Sequence, residues 1–214
     1  MNNLIGVGVT SAFIAFVLGF SKVVQRLGNE VSRKFVHIAL CNIWFFYMKF
    51  IDNLAVACIL PACFVVINAL SHKYKLIPSM EREGNDTLGT VYYAISILVI
   101  TIFTYLIKMP EVGLIGLLIM GYGDGFAAVI GQNFKSKELK IGKNTTKSIA
   151  GSITMFLISL IFSVVVFYCW GTEFFLIKGI AIAFVATILE IFSIKGIDNL
   201  TVPIIITILT YFAM

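Results

Sequence analysis

Residues 111–134 read EVGLIGLLIMGYGDGFAAVIGQNF. A helix needs roughly 20 consecutive apolar residues to cross a bilayer, and this run supplies them around one deep carboxylate, Asp124. Only helices and closed barrels can satisfy every backbone group inside lipid, and a long continuous apolar run is helical. A carboxylate at mid-bilayer costs about 2.5–3.5 kcal/mol on insertion scales, so Asp124 has to face a cavity or a partner.

The rest of the chain has the same character. Of its 214 residues 59% are hydrophobic and 13% charged, against roughly half apolar and a quarter charged in a soluble domain. Spans are predicted near 3–24, 35–51, 53–71, 88–108, 111–133, 149–170, 173–194 and 199–213. The second and last are short, so the expectation is an all-α, polytopic transmembrane helical bundle of seven or eight spans. No room remains for a separate soluble domain. The N-terminus lacks a basic region and a small-x-small cleavage site, so it reads as an uncleaved first span. Cys41, Cys58, Cys63 and Cys169 lie in apolar runs without Cys-x-x-Cys spacing, which excludes a disulfide framework or zinc site.

Charge fixes the expected orientation. Thirteen of the sixteen Lys and Arg residues fall in one set of loops, and only Lys49, Lys108 and Lys178 in the other. The basic side is expected to be cytoplasmic, in a bacterial cytoplasmic membrane. The net charge of +5 is therefore assigned to topology and anionic headgroups rather than to nucleic acid. Sequons at Asn85, Asn144 and Asn199 lie on that same side, where they would not be glycosylated.

Polar residues with chemical potential gather on the basic side. Gly121, Gly123 and Gly125 flank Asp124. Glycine there permits close helix packing, or a broken helix whose free backbone lines a polar cavity. An aspartate between glycines favours a site. The following loop, KSKELKIGKNTTKSIAGS (135–152), places Lys143 and Lys147 before the sixth span. A lysine loop at this face can be topology alone. Lys147-Ser148 at a helix start, with Gly151 and Ser152 one turn on, is a more specific anion site, in which Ser148 is an N-cap or a phosphate ligand.

The second span opens with NEVSRKFVHIALCN (29–42), in which Glu30, Arg33, Lys34 and His37 share one broad helix face. His37 is either a satisfied interfacial residue or, with Arg33 and Lys34, part of a basic grip on a polyphosphate or lipid headgroup. Arg82, Asp86, Thr87, Gly89 and Thr90 follow between spans three and four. Glu190 lies about a turn inside the seventh span, and Asp198-Asn199 opens the last segment. Asp124, Glu190 and Asp198 are oxygen donors of the kind magnesium takes. Basic groups, glycine-rich backbone and a few acids at one membrane face suit phosphoryl or nucleotidyl transfer.

Four ordered motifs carry a resemblance: EVSRKFVH (30–37), REGNDTLGTVYY (82–93), GDGFAAVIG (123–131) followed by KSIAGS (147–152), and Glu190 with DNLTVP (198–203). The chain resembles the dolichol kinase, phytol kinase and CTP-dependent diacylglycerol kinase family from Glu30 to Pro203. The resemblance implies that residues 1–214 form one transmembrane lipid-kinase domain. It further implies transfer of a nucleotide's terminal phosphate, with CTP as donor, to a lipid alcohol, and use of Mg2+ or another divalent cation. The implied catalytic residues are Asp124, Arg33 and Lys34, and the implied metal ligands Asp124, Glu190 and Asp198. Gly123, Gly125, Gly131, Lys143, Lys147, Ser148, Gly151, Ser152 and Asn199 become nucleotide- or phosphate-binding candidates, and His37, Arg82, Thr87 and Thr90 substrate-side candidates. Ala150 stands where the family usually has Glu, and Gln132 and Lys135 depart from its G-R-x-x-G pattern.

Two other readings compete. Phosphatidate cytidylyltransferases share the aspartate span and basic loop but end in a P-G-H-G-G and D-R signature, absent from this apolar C-terminus. A small ion-coupled transporter would need a polar path to the opposite face, and the outer halves of the spans hold few ionisable residues.

Overall fold

The computed structural model describes residues 2–74, 88–134, 136–141, 145–194 and 196–214. Ten α-helices follow in order: α1 Asn3–Val24, α2 Asn29–Leu40, α3 Ile43–Phe50, α4 Leu54–Tyr74, α5 Gly89–Leu106, α6 Gly113–Leu118, α7 Gly125–Asn133, α8 Ile149–Cys169, α9 Phe175–Phe192 and α10 Asp198–Ala213. Six helical stretches are long and apolar enough to cross a membrane: Asn3–Leu27, Leu54–Tyr74, Gly89–Leu106, Pro110–Asn133, Ile149–Cys169 and Phe175–Phe192. Two of the expected spans take other forms. The last is the shorter apolar helix α10, and the second is broken into α2 and α3.

The break is chemically sealed. The Asn42 side-chain amide donates to the Ile38 and Ala39 carbonyls at 3.1 Å each, which gives partners to backbone oxygens that a helix break leaves exposed. The α2–α3 pair still runs back along the whole of α1. Ser32 Oγ donates to the Ser21 carbonyl (2.8 Å) at one end, and Asn3 Nδ2 donates to Asp52 Oδ1 (2.8 Å) at the other.

The helix burying Asp124 is the central one. Residues 112–121 are buried without interruption, the pattern of a helix surrounded by others. Peripheral helices bury one narrow stripe instead; in α1 it is Gly6, Thr10, Ile14, Val17 and Ser21. Phe16, Ile161, Phe184 and Phe212 point outward, as expected for a bundle in lipid, where small residues pack inside and large apolar ones face the chains.

Between α6 and α7 the backbone widens into a π-helical turn, Ile119–Asp124. Such turns occur as local insertions, frequently at functional sites. The glycines here serve packing. A Cβ on Gly121 would collide with Cys41 Sγ, one on Gly125 with Ile38, and one on Gly123 would lie 2.8 Å from Met155 Sδ. The sequence left packing and a broken helix open; packing is what the glycines provide, around a widened turn rather than a break.

The lysine loop contains the sole β structure among the described residues. Strands β1 (Glu138–Ile141) and β2 (Thr145–Ser148) pair antiparallel, with Leu139 opposite Lys147 and Glu138 opposite Ser148. The hairpin leads directly into α8.

Candidate active site

Side-chain contacts bring one end of the bundle together. Asn199 Nδ2 at the start of α10 donates to the Gly89 carbonyl at the start of α5 (3.0 Å). Asn68 Nδ2 near the end of α4 donates to the Thr90 carbonyl (3.3 Å). Lys147 in β2 reaches Glu190 near the end of α9 and Asp198 at the start of α10. A cavity of about 1360 Å³, counted with its open mouth, lies among these ends.

Two charge clusters line it. In the first, Lys34 Nζ donates to Asp124 Oδ2 at 2.8 Å, and His37 Nε2 lies 3.2 Å from the same oxygen. His37 Nε2 is also 2.9 Å from the Met120 carbonyl in the π-helical turn. Both neighbours are acceptors, so Nε2 carries a hydrogen shared between them. The Tyr93 hydroxyl donates to the His37 carbonyl (3.0 Å), and the two rings lie 4.6 Å apart. His37 is thus buried with its Nε2 between Asp124 and the Met120 carbonyl, the satisfied alternative of the sequence reading.

Arg33 forms a two-pronged bond to Glu30, at 2.5 and 3.0 Å. On the shared face Glu30 pairs with Arg33 at i,i+3, and Lys34 turns to Asp124. Arg33, Lys34 and Asp124 all line the cavity.

In the second cluster Lys147 Nζ is 2.5 Å from Glu190 Oε1 and 3.5 Å from Asp198 Oδ2. Burial alone would lower the lysine pKa. The charges of Glu190 and Asp198 outweigh it and hold Lys147 protonated above the usual lysine range. Ser148 caps α8, its Oγ accepting from the Gly151 amide at 3.0 Å. Gly131 and Gly151 let α7 and α8 close beside this cap: a Cβ on Gly131 would sit 2.6 Å from Ser148 Oγ, and one on Gly151 2.9 Å from the Ala127 carbonyl.

The three expected metal ligands do not converge. Asp124 belongs to the Lys34–His37 cluster, and Glu190 with Asp198 to the Lys147 cluster. Among the described residues no group of three His, Cys, Asp or Glu side chains is placed to hold a metal ion. A two-carboxylate site does fit the donor chemistry. Glu190 Oε2 and Asn199 Oδ1 are buried acceptors with no hydrogen-bond partner, a state that calls for a cation or a ligand. Magnesium commonly takes one or two carboxylates and fills its remaining positions with water and substrate phosphate.

Gly123 and Gly125 line up against Met155 and Ile38 rather than in the cavity wall. Thr90 lines a neighbouring apolar pocket instead. Arg82, Thr87 and Lys143 lie outside the described residues. Sequence reasoning passed over Asn68, whose signal was an amide inside an apolar run and which is 5% exposed. It also passed over Glu138, Thr146 and Ser193, which line the cavity but carry no distinctive sequence pattern.

The chain is similar to phytol kinase of Synechocystis sp., with 32% identity over 94% of this chain and 88% of that protein. It is 29% identical to chloroplastic phytol kinase 1 of Arabidopsis thaliana, over 96% of this chain and 74% of that one. It is 28% identical to chloroplastic farnesol kinase of the same plant, over 80% of this chain and 60% of that one. No family model matches the chain, and no solved structure does. The identity, over nearly the whole of this chain, shows that it belongs to the phytol kinase family.

Proposed function

We propose that the protein is a membrane kinase that transfers the terminal phosphate of a nucleotide, with CTP as donor, to the hydroxyl of an isoprenoid alcohol such as phytol or farnesol. The observation carrying this reading is that one cavity at the ends of an apolar bundle holds both a buried Asp124–Lys34–His37 cluster and a Lys147–Glu190–Asp198 cluster. Kinship with phytol and farnesol kinases supports the acceptor class.

In this mechanism Arg33 and Lys147 exchange their carboxylate partners for the oxygens of the polyphosphate. Glu190 and Asp198, with Asn199 beside them, would hold the divalent cation. When bound, it neutralises phosphate oxygens. Asp124 accepts the proton of the lipid hydroxyl as its oxygen attacks the terminal phosphorus and the bond to the departing nucleoside diphosphate breaks. Lys34 and His37 hold the Asp124 carboxylate in place.

The broken α2–α3 pair and α10 complete eight crossings, with both termini on the far side. The lysine bias puts the cavity on the cytoplasmic face, where nucleotide arrives from solution.

The test is a radiolabelled-nucleotide assay in proteoliposomes, crossing CTP, ATP and GTP with phytol, farnesol and diacylglycerol. Labelled isoprenyl monophosphate and CDP are expected. No labelled lipid with any donor would overturn the reading, and a CDP-lipid with pyrophosphate would replace it by cytidylyl transfer.

A further inference from the structure

A second pocket adjoins the polar cavity. It lies between α1, α2–α3, α4 and α5, spans about 700 Å³ counted with its open mouth, and shares Arg33 and Asn199 with the cavity wall. Its lining is polar at that end, where His37, Asn68 and Thr90 gather, and apolar beyond, at Leu60, Phe64, Ala94 and Ile97. The polar end is the end at which Asp124 sits, since His37 touches both the pocket and Asp124 Oδ2.

We propose that this pocket receives the chain of a single-tailed isoprenoid alcohol, with its hydroxyl at the His37 end. The inference rests on the kinase reading and specifies where that reading's lipid binds. Three features support it.

The first is continuity. A hydroxyl held between Arg33 and Asn199 stands at the boundary of the two spaces, so its chain has apolar surroundings while its oxygen faces the phosphate side.

The second is length. Along α2–α3 the lining runs from Arg33 to Ile43, and along α4 from Asn68 to Leu60. At 1.5 Å per helical residue these stretches span roughly 12–15 Å. Extended chains advance roughly 1.2 Å per bond, by analogy with the three-bond peptide repeat, so the pocket takes about a dozen bonds. That is one isoprenoid chain of farnesol length, and most of a phytyl chain.

The third is width. Pro61 and Asn68 of α4 are buried against the pocket on one side and Ala94 and Ile97 of α5 on the other. One branched chain fits between two adjacent helices, and a diacylglycerol would bring two.

The experiment uses the full-length protein in two measurements. First, an isoprenoid alcohol with a diazirine at its distal end is photolysed on wild-type protein without nucleotide, with excess unlabelled alcohol as competitor. Competable labelling of α4 and α5 near Leu60, Phe64 or Ile97 is expected; competable labelling on the outer faces of α8 and α9 overturns the proposal. Second, Leu60→Trp and Ala94→Phe fill the pocket from opposite walls. Each should lower kcat/KM for phytol about tenfold more than for a short prenyl alcohol, the size of effect that overpacking a tight site produces. Equal losses for both alcohols in both variants overturn the proposal. Should wild-type protein phosphorylate no alcohol yet label at the pocket, the lipid site stands and the kinase reading falls. Turnover with labelling elsewhere is the converse.

Discussion

Neutralising Asp124 separates its structural from its chemical role. Lys34 Nζ lies 2.8 Å from Asp124 Oδ2, and the lysine is 5% exposed. At that distance and an effective dielectric near 20, the gross attraction is roughly 6 kcal/mol, before the cost of removing both charges from water. Asp124→Asn leaves Lys34 buried without its counter-charge, and Lys34→Met leaves Asp124 so. Breaking a buried pair from one side costs about 3–5 kcal/mol, whereas replacing both partners by neutral groups is often close to neutral. Each single variant is therefore expected to be destabilised by several kcal/mol and the Asp124→Asn/Lys34→Met double variant to recover most of it, a coupling of about 5 kcal/mol or more. Activity is expected to behave differently. Loss of a proton acceptor lowers turnover about 10²–10⁴-fold, and the double variant, though stable, stays inactive. Unfolding titrations in mixed micelles and the radiolabelled phosphate assay measure the two quantities on the same preparations. Additive destabilisation within about 0.5 kcal/mol would refute the coupled pair. Turnover restored along with stability would show that Asp124 only holds Lys34.

Glu190→Gln removes the strongest charge holding the Lys147 proton, so the lysine pKa falls and the alkaline limb of the kcat/KM profile moves to lower pH; an unmoved limb in a folded variant would count against the Lys147–Glu190 pairing in the working enzyme. Gly125→Val forces a side chain into Ile38 of α2, and overpacking of this kind costs roughly 1–3 kcal/mol, read as a lowered Tm with Gly125→Ala less affected. Chelation of divalent cations is expected to abolish phosphate transfer and magnesium to restore it. In the Glu190→Gln variant restoration should need at least tenfold more magnesium, in line with the effect of losing one partner in a metal site.

The long spans were legible because their cause is local: an apolar run of sufficient length has one way to satisfy its backbone in lipid. The interruption at Cys41-Asn42 was not, since neither residue is a helix breaker and the seal depends on where the Asn42 amide turns. The π-helical turn depends on what packs against Gly121 and Gly125. The hairpin rests on two four-residue strands, too short and polar for an alternation to stand out. Among the site residues, identity was readable and partnership was not. Asp124, Glu190 and Asp198 each stood out as acids near the membrane, but Lys34, 90 residues from Asp124, and Lys147, 43 residues from Glu190, decide how they divide. The expected three-acid metal set came from adding up candidates whose cationic partners are set by tertiary contact.

That division bears on how a polyphosphate can enter. Among the described residues the cavity is lined by the acids Glu30, Asp124, Glu138, Glu190 and Asp198 and by the bases Arg33, Lys34 and Lys147. All three bases are already committed inside the bundle's own pairs, Arg33 to Glu30, Lys34 to Asp124 and Lys147 to Glu190 and Asp198. A bare nucleotide would meet an excess of negative charge in a partly desolvated space, where like charges repel strongly. On the proposed reading, Glu190, Asp198 and Asn199 are the residues that would hold a divalent cation arriving with the nucleotide, the Glu190 and Asn199 oxygens being without partners, and such a cation would offset that charge. Lys147 would then be released from those carboxylates to meet the phosphates of the donor. On the proposed reading, the acids among the described lining residues would favour the metal-bound form of the donor, and the Lys147 pairing would keep the two carboxylates compensated until it arrives.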